Sequence, residues 1–449
     1  MKKSVIVYLS IFCVLVMAIS ACNGTPEETQ SETSSKTSTN ITINYLTIKN
    51  ADHPIRKALD EIVGEYNSKG GDTIKIEYST TADRASYDQK LRTQIASKNV
   101  PDWFDSDPNA YSRKLAEEGY VANLGEFLEN ENLKNRVQPM ALEFQTFEGL
   151  GTFLLPTAVD VEVFWYNTKL FADNQIEVPE TFDDFLVVCE KLKSAGVTPI
   201  SVSGKEKWPM LRYLAYVPFR LANNDFINSA KTGEVKFSSE TGMKGINFLY
   251  EIGTKGYFQE GFATTDYGAA IDYFISGSAA VFNMGSWQFS SFTETGLKGT
   301  AVEGKIDYFL LPTVEGAVNK PTDIWSSGGV GLAFNKVTFD SKSKNFLKYI
   351  LSDDAGYAEK VYRLGPIFPA IISDSEIDSA DPLYNRLLSD IANIEIGGIS
   401  WDVLLDPVTN SLMGDLSNAL ALGSIIPSDF ASQIDKSVAE NAANYFSEE

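Results

Sequence analysis

The sequence predicts an α/β protein with two lobes, each containing a sheet flanked by helices. A strand–helix–strand pattern opens the folded part, and further strand patterns, "KIDYFLLPT" and "GVGLAFN", follow only after a long helical stretch. About 410 residues lie beyond the N-terminal region, which is enough for two substantial cores. Strand signals at two distant places, separated by helices, favour two lobes between which the chain crosses more than once.

The first elements form a β-α-β unit. "ITINYLTI" alternates apolar and polar residues, "HPIRKALDEIVGEYNSKGG" has one apolar helical stripe, and "TIKIEYS" alternates again. Pro54 is suited to the start of this helix, and Gly70 and Gly71 to its end. Because the turns are short, the two strands are expected to be parallel. A second helix near Tyr87–Lys98 then leads to "NVPDWFDSD".

The middle of the chain changes from strands to helices. "GTFLLPTAVDVEVFWYN" predicts paired strands around Pro156, and Thr181 with Asp184 indicates a capping box at the start of a helix. From about Lys342 the pattern is again mainly helical.

The N-terminus resembles a bacterial lipoprotein signal. Residues 1–21 have two lysines and an apolar segment, and "ISAC" places Cys22 where such signals carry a diacylated cysteine. The alternative is a buried or unpaired cysteine that happens to follow a signal. Residues 22–40 are expected to form a disordered tether, because residues 23–40 contain no aliphatic or aromatic side chain.

Composition excludes several functions. The formal net charge is −22, which opposes binding to nucleic acid. His53 is the only histidine, so zinc sites that need two or more histidines are excluded, and a Ser-His-Asp triad is not expected. Cys189 lies on a helical apolar stripe and is expected to be a buried thiol. We therefore expect no cofactor and no metal site.

Tryptophans are the residues that most favour a binding site. Each of the six lies beside a turn former or a polar residue, which places some of them at the ends of elements. Flat rings there suit sugars, whose C–H faces stack on aromatic side chains while their hydroxyls bond to polar groups. For any one tryptophan a core position is the alternative. The six are Trp103, Trp165, Trp208, Trp287, Trp325 and Trp401.

Five segments together resemble one family. They are "VPDWFDSD", "LPTAVDVEVFWYNTKLF", "VPETFDDFLVVCEKLKSAGVTPIS", "GSAAVFNMGSW" and "YFLLPTVEG". In this order, and after a lipoprotein signal, they are similar to the sugar-binding branch of the extracellular solute-binding proteins of ABC importers, which includes maltodextrin-binding proteins.

This resemblance implies a periplasmic-binding-protein-like fold, with mainly parallel sheets and ligand in a cleft between the lobes. It implies one lobe of residues 41–157 and 309–352, and another of residues 158–308 and 353–449. The implied crossings between lobes lie at Pro156–Val161, Tyr308–Pro312 and Tyr349–Gly356.

The resemblance also implies ligand-binding residues. Trp287 matches a stacking tryptophan, Asp160 a hinge-side acid that bonds sugar hydroxyls, and Trp208 a residue of the cleft. Which of Trp165 and Tyr166 faces the ligand stays open. Asp105 and Asp107 lie near an acidic position of the first lobe, and Asn50 and Asp52 follow the first strand in another loop that faces the ligand. Trp325, beside a turn, is the last candidate.

The function implied is capture of a sugar, expected to be an oligosaccharide, and its delivery to ABC permease subunits, without catalysis. We expect a monomer held by lipid on Cys22 at the extracellular face of the cytoplasmic membrane of a bacterium, expected to be Gram-positive. Two alternatives remain: a surface-anchored carbohydrate-active hydrolase, and an adhesin or chemosensory receptor on the same fold.

Overall fold

A computed structural model describes residues 39–446, apart from residues 82, 373–376, 378 and 380. The predicted signal peptide, Cys22 and nearly all of the predicted tether lie outside the described residues. Within this described part, no helix has both the length and the apolar character needed to cross a membrane.

Twelve strands and twenty α-helices occur in the described residues. The strands are β1 Asn40–Leu46, β2 Thr73–Ser79, β3 Trp103–Ser106, β4 Thr146–Phe147, β5 Gly151–Thr152, β6 Leu154–Leu155, β7 Asp160–Asn167, β8 Thr198–Ser201, β9 Ala279–Gly285, β10 Ile306–Phe309, β11 Ser326–Ser327 and β12 Gly331–Phe334. The helices are α1 Pro54–Ser68, α2 Arg84–Ala96, α3 Ala110–Glu117, α4 Leu124–Asn130, α5 Pro139–Phe144, α6 Thr168–Asp173, α7 Phe182–Ser194, α8 Trp208–Ala222, α9 Asp225–Thr232, α10 Glu240–Thr254, α11 Tyr267–Ile275, α12 Phe289–Phe292, α13 Glu294–Leu297, α14 Lys344–Ile350, α15 Tyr357–Leu364, α16 Pro382–Ala392, α17 Trp401–Leu404, α18 Pro407–Ala421, α19 Pro427–Asn441 and α20 Ala443–Phe446.

The first sheet has the strand order β2-β1-β3-β12-β6. Strand β1 is parallel to both β2 and β3, which confirms the predicted β-α-β unit. Helix α1 begins at Pro54 and buries the predicted apolar stripe, including Ile55, Leu59 and Ile62. The sheet and its helices form the first lobe.

The second sheet has the order β10-β7-β9-β8, and β11 also pairs with β7. Only β8 and β9 are parallel here, whereas β9, β10 and β11 are all antiparallel to β7. The two-lobed α/β class is confirmed. In the first sheet β12 is likewise antiparallel to its neighbours β3 and β6. Each sheet thus has one strand that runs opposite to all the others, β12 in the first and β7 in the second, so the expected mainly parallel direction of the strands is met in both lobes apart from these two.

The first crossing lies between β6 and β7. Leu154 and Leu155 pair with β12 in the first sheet, whereas β7 starts at Asp160 in the second. The prediction that strands pair with each other around Pro156 is therefore wrong, since the proline lies in the segment that joins two different sheets.

The second crossing comes later in the chain than Tyr308–Pro312. Ser326 still pairs with Val161 on β7, and Gly331 is the first residue paired with β3. The intervening residues after β10 stay with the second lobe because Arg220 on α8 donates to the carbonyls of Leu311 and Pro312. The chain thus changes sheets at residues 328–330, and residues 309–327 lie with the second lobe.

The third crossing also comes later, after α15. This helix packs on α1 of the first lobe, where Lys360 forms an ion pair with Glu65 at 3.0 Å. Beyond it, the backbone N–H of Val159 donates to the carbonyl oxygen of Phe368 at 2.8 Å. Residues 353–364 therefore lie with the first lobe, and the third crossing runs beside the first.

Candidate functional site

The second sheet brings three loops to one edge. Strands β8 and β9 are parallel, so both end at this edge, and β7 is antiparallel to β9, so it begins there. Asp160 is the first residue of β7, Trp287 follows β9, and Trp208 begins the helix after β8. The topology therefore places these three predicted site residues at one edge.

In the first sheet, the edge at which the parallel strands end lies beside the crossings. Strands β1 and β3 are parallel and end at this edge, and β12 begins there directly after the second crossing. The loop after β1 contains Lys49 and His53, and Asp105 is the last residue but one of β3. Residues of both lobes thus lie near the first two crossings.

Three aromatic rings form a cluster in the second lobe, which we call the aromatic platform: Trp208, Trp287 and Tyr267. The rings of Trp208 and Trp287 meet edge to face with centroids 5.9 Å apart, and Trp208 lies 6.5 Å from Tyr267. All three are half-buried. The Trp287 ring folds back over Gly285, where a Cβ would overlap it, so a larger residue at that position would displace the indole.

Asp160 lies beside the platform with little to stabilise its charge. Its side chain is 8% exposed, and within the described residues its one hydrogen bond is from the Ser286 hydroxyl at 3.3 Å. Gly329 of the second crossing packs so closely that a Cβ there would lie 2.6 Å from Oδ2 of Asp160. Burial raises the pKa of Asp160 to about 7, with Glu162 adding to this effect and Ser286 and Lys49 opposing it.

Lys49 and Asp105 form a buried ion pair in the first lobe. The Lys49 ammonium lies 2.7 Å from Oδ1 of Asp105, and the two side chains are 6% and 0% exposed. Asp105 also accepts hydrogen bonds from the Tyr45 hydroxyl at 2.6 Å, the Thr47 hydroxyl at 2.6 Å and the Ile48 backbone N–H at 2.9 Å. Four donors leave this carboxylate little capacity for a ligand. Asp105 instead fixes the position of Lys49, and the positive charge of Lys49 favours the ionised form of Asp160.

His53 adds a neutral polar group to the same loop. Its Nδ1 accepts from the backbone N–H of Ile55 at 3.3 Å and caps α1. Burial, with the nearby Lys49 charge, lowers the pKa of His53 to about 4. Because Nδ1 accepts a hydrogen bond, the neutral ring carries its proton on Nε2.

Two of the predicted tryptophans lie in the core of the second lobe. Trp165 is fully buried against Phe292 and Tyr308, with ring centroids 4.8 and 5.6 Å away. Trp325 is 1% exposed and its Nε1 donates to the Ser400 hydroxyl at 3.1 Å. Neither indole presents a surface to a ligand in this structure.

The other candidates lie outside the group around Asp160. Tyr166 is half-buried six residues along β7 from Asp160, about 20 Å at strand spacing, where it packs on Phe171. Asp107 pairs with Arg84 at 2.5 Å. Asn50 and Asp52 are exposed in the loop after β1.

Sequence reasoning missed Tyr267 and Lys49. Tyr267 begins α11, and nothing in its surroundings distinguishes it from the many other tyrosines of the chain. Lys49 follows a predicted strand, which is a signal for a residue at a sheet edge. Its partner Asp105 lies 56 residues away, so the pair appears only after folding.

Together these features define a class: a two-lobed α/β binding protein with aromatic rings in one lobe and a buried charge pair in the other. The chain belongs to the bacterial extracellular solute-binding protein family, whose sequence profile matches residues 50–357.

Relatives and solved structures agree with this family. The "Multiple sugar-binding protein" of Streptococcus mutans is 22% identical over 427 residues, which cover 92% of this chain and 95% of the relative. A solved "Chitin oligosaccharide binding protein" superposes with a TM-score of 0.76 at 22% identity, covering 90% of this chain and 99% of the other. The SBP RafE in complex with raffinose gives a TM-score of 0.68 at 19% identity, covering 88% and 98%. These likenesses to solved structures establish the two-lobed fold.

Proposed function

We propose that this protein is the extracellular receptor of an ABC importer and that its ligand is a neutral oligosaccharide. The observation that carries this proposal is the aromatic platform beside the buried, poorly bonded carboxylate of Asp160. Ligand sites typically combine apolar and aromatic walls with a few polar groups that fix orientation. A sugar can bind to both kinds of group, since its C–H face stacks on a ring and its hydroxyls donate to a carboxylate.

The proposed mode of binding joins the two lobes through the sugar. Hydroxyls of the sugar donate to Asp160 in the second lobe, and the Lys49 ammonium donates to oxygens of the sugar from the first. Within the described residues, one of the three ammonium N–H groups of Lys49 has an acceptor, Asp105. A ligand bonded to both lobes stabilises the closed form by its difference in affinity for closed and open protein. Closure about the crossings is the expected motion.

The comparisons support a sugar as the ligand. The Streptococcus mutans relative is named for binding multiple sugars, and the two solved structures are a chitin oligosaccharide binding protein and a raffinose complex. We extend this ligand class to the present chain, and three rings favour an oligosaccharide over a monosaccharide. The same comparisons favour a binding protein over a hydrolase.

Attachment to the membrane is part of the proposal. Lipid on Cys22 would tether a monomer beside permease subunits at the extracellular face of the cytoplasmic membrane, in a bacterium that we take to be Gram-positive. Cys22→Ser should release the protein into the medium with unchanged sugar affinity. A Cys22→Ser protein that stays membrane-bound would contradict the lipid anchor and leave the binding site unaffected.

A thermal-shift screen tests the function. Raffinose, chitin oligosaccharides and a panel of monosaccharides are added to the purified protein. A sugar at a hundred times its Kd should stabilise the folded state by about 2.7 kcal/mol. Chromatography of the sugar after overnight incubation should recover it intact, whereas shortened products would favour the hydrolase. If none of the sugars changes the melting temperature, the sugar-binding proposal fails.

A further inference from the structure

Arg212 lies directly beneath the aromatic platform. It follows Trp208 by four residues on α8, which places both side chains on the same face of the helix. Its guanidinium carbon lies over the Trp208 ring, 5.0 Å from the centroid, and 5.8 Å from the centroid of Trp325. The side chain is only 6% exposed.

Two carboxylates fix the position of this guanidinium. Arg212 Nε lies 2.8 and 2.9 Å from the two oxygens of Glu162 on β7, and a terminal nitrogen donates to Asp402 on α17 at 2.7 Å. The Glu162 carboxylate also accepts from the Tyr216 hydroxyl at 3.3 Å. The guanidinium is thereby held between a strand and a helix from the C-terminal region.

Trp208 and Trp325 both contact Arg212, but they differ in their other contacts. Trp325 is buried in the core and bonded to Ser400. Trp208 is half-buried at the margin of the core, and the aromatic and cationic groups against its ring in the described residues are Trp287, Tyr267 and Arg212. A cation over one face of an indole attracts that face. The orientation of Trp208 thus depends on Arg212 much more than that of Trp325 does.

We propose that Arg212 is a positioning residue of the binding site, which holds one face of Trp208 so that the opposite face is presented to the ligand. This inference rests on the proposed function for the nature of the ligand, but not for the geometry. Arg212 acts through Trp208 and does not itself contact the sugar. A purely structural arginine would change stability without changing the properties of Trp208.

Arg212→Lys is the informative variant. Lysine keeps the charge that Glu162 and Asp402 require, but it lacks the planar fork that bonds both carboxylates while its central carbon lies over the ring. Arg220→Lys is the matched control. Arg220 is the other buried arginine of α8, and it donates to the carbonyls of Pro312, Lys320 and Asp323 at 2.7 to 3.0 Å.

The first readout needs no sugar. Acrylamide quenching of Trp208 is obtained by subtracting the fluorescence of a Trp208→Phe partner in each background. Arg212→Lys should increase the quenching constant of Trp208 by about twofold, because the ring loses its cover on one face, and Arg220→Lys should leave it unchanged. An unchanged quenching constant in folded Arg212→Lys protein would overturn the proposal.

The second readout is calorimetric titration with raffinose and with chitin oligosaccharides, at a temperature where circular dichroism shows every variant folded. Arg212→Lys should weaken binding by about tenfold, and Trp208→Ala by about the same factor or more. The double variant should bind no more weakly than Trp208→Ala alone, because Arg212 acts through that ring. Multiplying effects would overturn the proposal. If wild-type protein binds neither sugar, the proposed function fails for these sugars, and the quenching result alone decides on Arg212.

Discussion

The indole Nε1 of Trp287 donates a hydrogen bond to the hydroxyl oxygen of Tyr267 at 2.8 Å. The tyrosine hydroxyl in turn donates to Oε1 of Gln288 at 3.0 Å. These two hydrogen bonds fix the orientation of the Trp287 ring, which follows β9. Tyr267, which the sequence did not predict as a site residue, therefore orients Trp287, which it did predict.

The first prediction concerns this hydrogen bond. Tyr267→Phe removes the acceptor of Trp287 Nε1 and should weaken sugar binding by about three- to tenfold, since a hydrogen bond contributes about 0.5–1.5 kcal/mol. Calorimetry measures the effect. Tyr273→Phe is the control, because Tyr273 lies on the same helix with its hydroxyl 3.0 Å from that of Thr198. Equal losses in the two variants would contradict the orienting role.

The second prediction separates a site tryptophan from a core tryptophan. Trp287→Ala should weaken sugar binding by roughly thirtyfold or more while the sugar-free protein stays folded. Trp165→Ala, in contrast, should lower the free energy of unfolding by about 3–5 kcal/mol, because its ring is fully buried. Denaturant unfolding and titration of both variants test this. Unfolding of the Trp287→Ala protein would instead place that ring in the core.

The sequence predicts those features that depend on neighbouring residues, and it fails where a feature depends on contacts between distant segments. The α1 stripe and the Thr181–Asp184 capping box are local patterns, and both are found. Trp165 and Trp325 have polar or turn-forming neighbours in sequence yet lie in the core, because strand pairing and the loop held by Arg220 bury them. The sequence predicts the second crossing too early for the same reason, because the pairing of Ser326 with Val161 is not visible in either segment alone.

The third prediction concerns pH. Sugar hydroxyls that donate to Asp160 stabilise its ionised form, so the bound pKa lies below the sugar-free value of about 7. Binding then releases a proton, and affinity increases as pH rises toward 7 and levels off above it. Between pH 6 and pH 8 the gain should be about tenfold. His53, with a pKa of about 4, stays neutral throughout this range.

Titrations at pH 6, 7 and 8 measure this dependence, and Asp160→Asn is the control that should bind weakly with a flat profile. Glu162, Lys49 and Tyr267 also act electrostatically with Asp160. A pH dependence that persists in Asp160→Asn would contradict the assignment of the titration to Asp160.

The fourth prediction concerns the stability cost of Asp160. Its folded pKa is above the usual unfolded value of about 3.9, so its contribution to stability is fully present below pH 4 and is lost as pH rises through about 7. In sugar-free protein, Asp160→Asn should therefore be more stable than wild type at pH 8, by about 1–3 kcal/mol, and the gain should vanish near pH 4. Denaturant unfolding at both pH values checks this. A variant that is less stable than wild type at pH 8 would mean that the carboxylate is well satisfied without ligand.

The fifth prediction compares two acids of β3 and its following loop. Asp105→Asn leaves the buried Lys49 ammonium without its counter-charge and should cost about 3–5 kcal/mol of stability. Asp107→Asn should cost about 1 kcal/mol or less, because the Asp107–Arg84 pair is partly exposed. Urea unfolding of both variants measures the difference. Similar losses would contradict the positioning role assigned to Asp105.

A crystal structure of the protein with a sugar from the thermal-shift screen tests the central claim most directly. We predict a sugar ring with carbon atoms about 4 Å from the indole of Trp208 or Trp287. The same structure should show hydroxyls within hydrogen-bond distance of Asp160, and Lys49 bonded to the sugar from the other lobe. A sugar bound away from these residues, or bonded to one lobe alone with the cleft unchanged, would contradict the account.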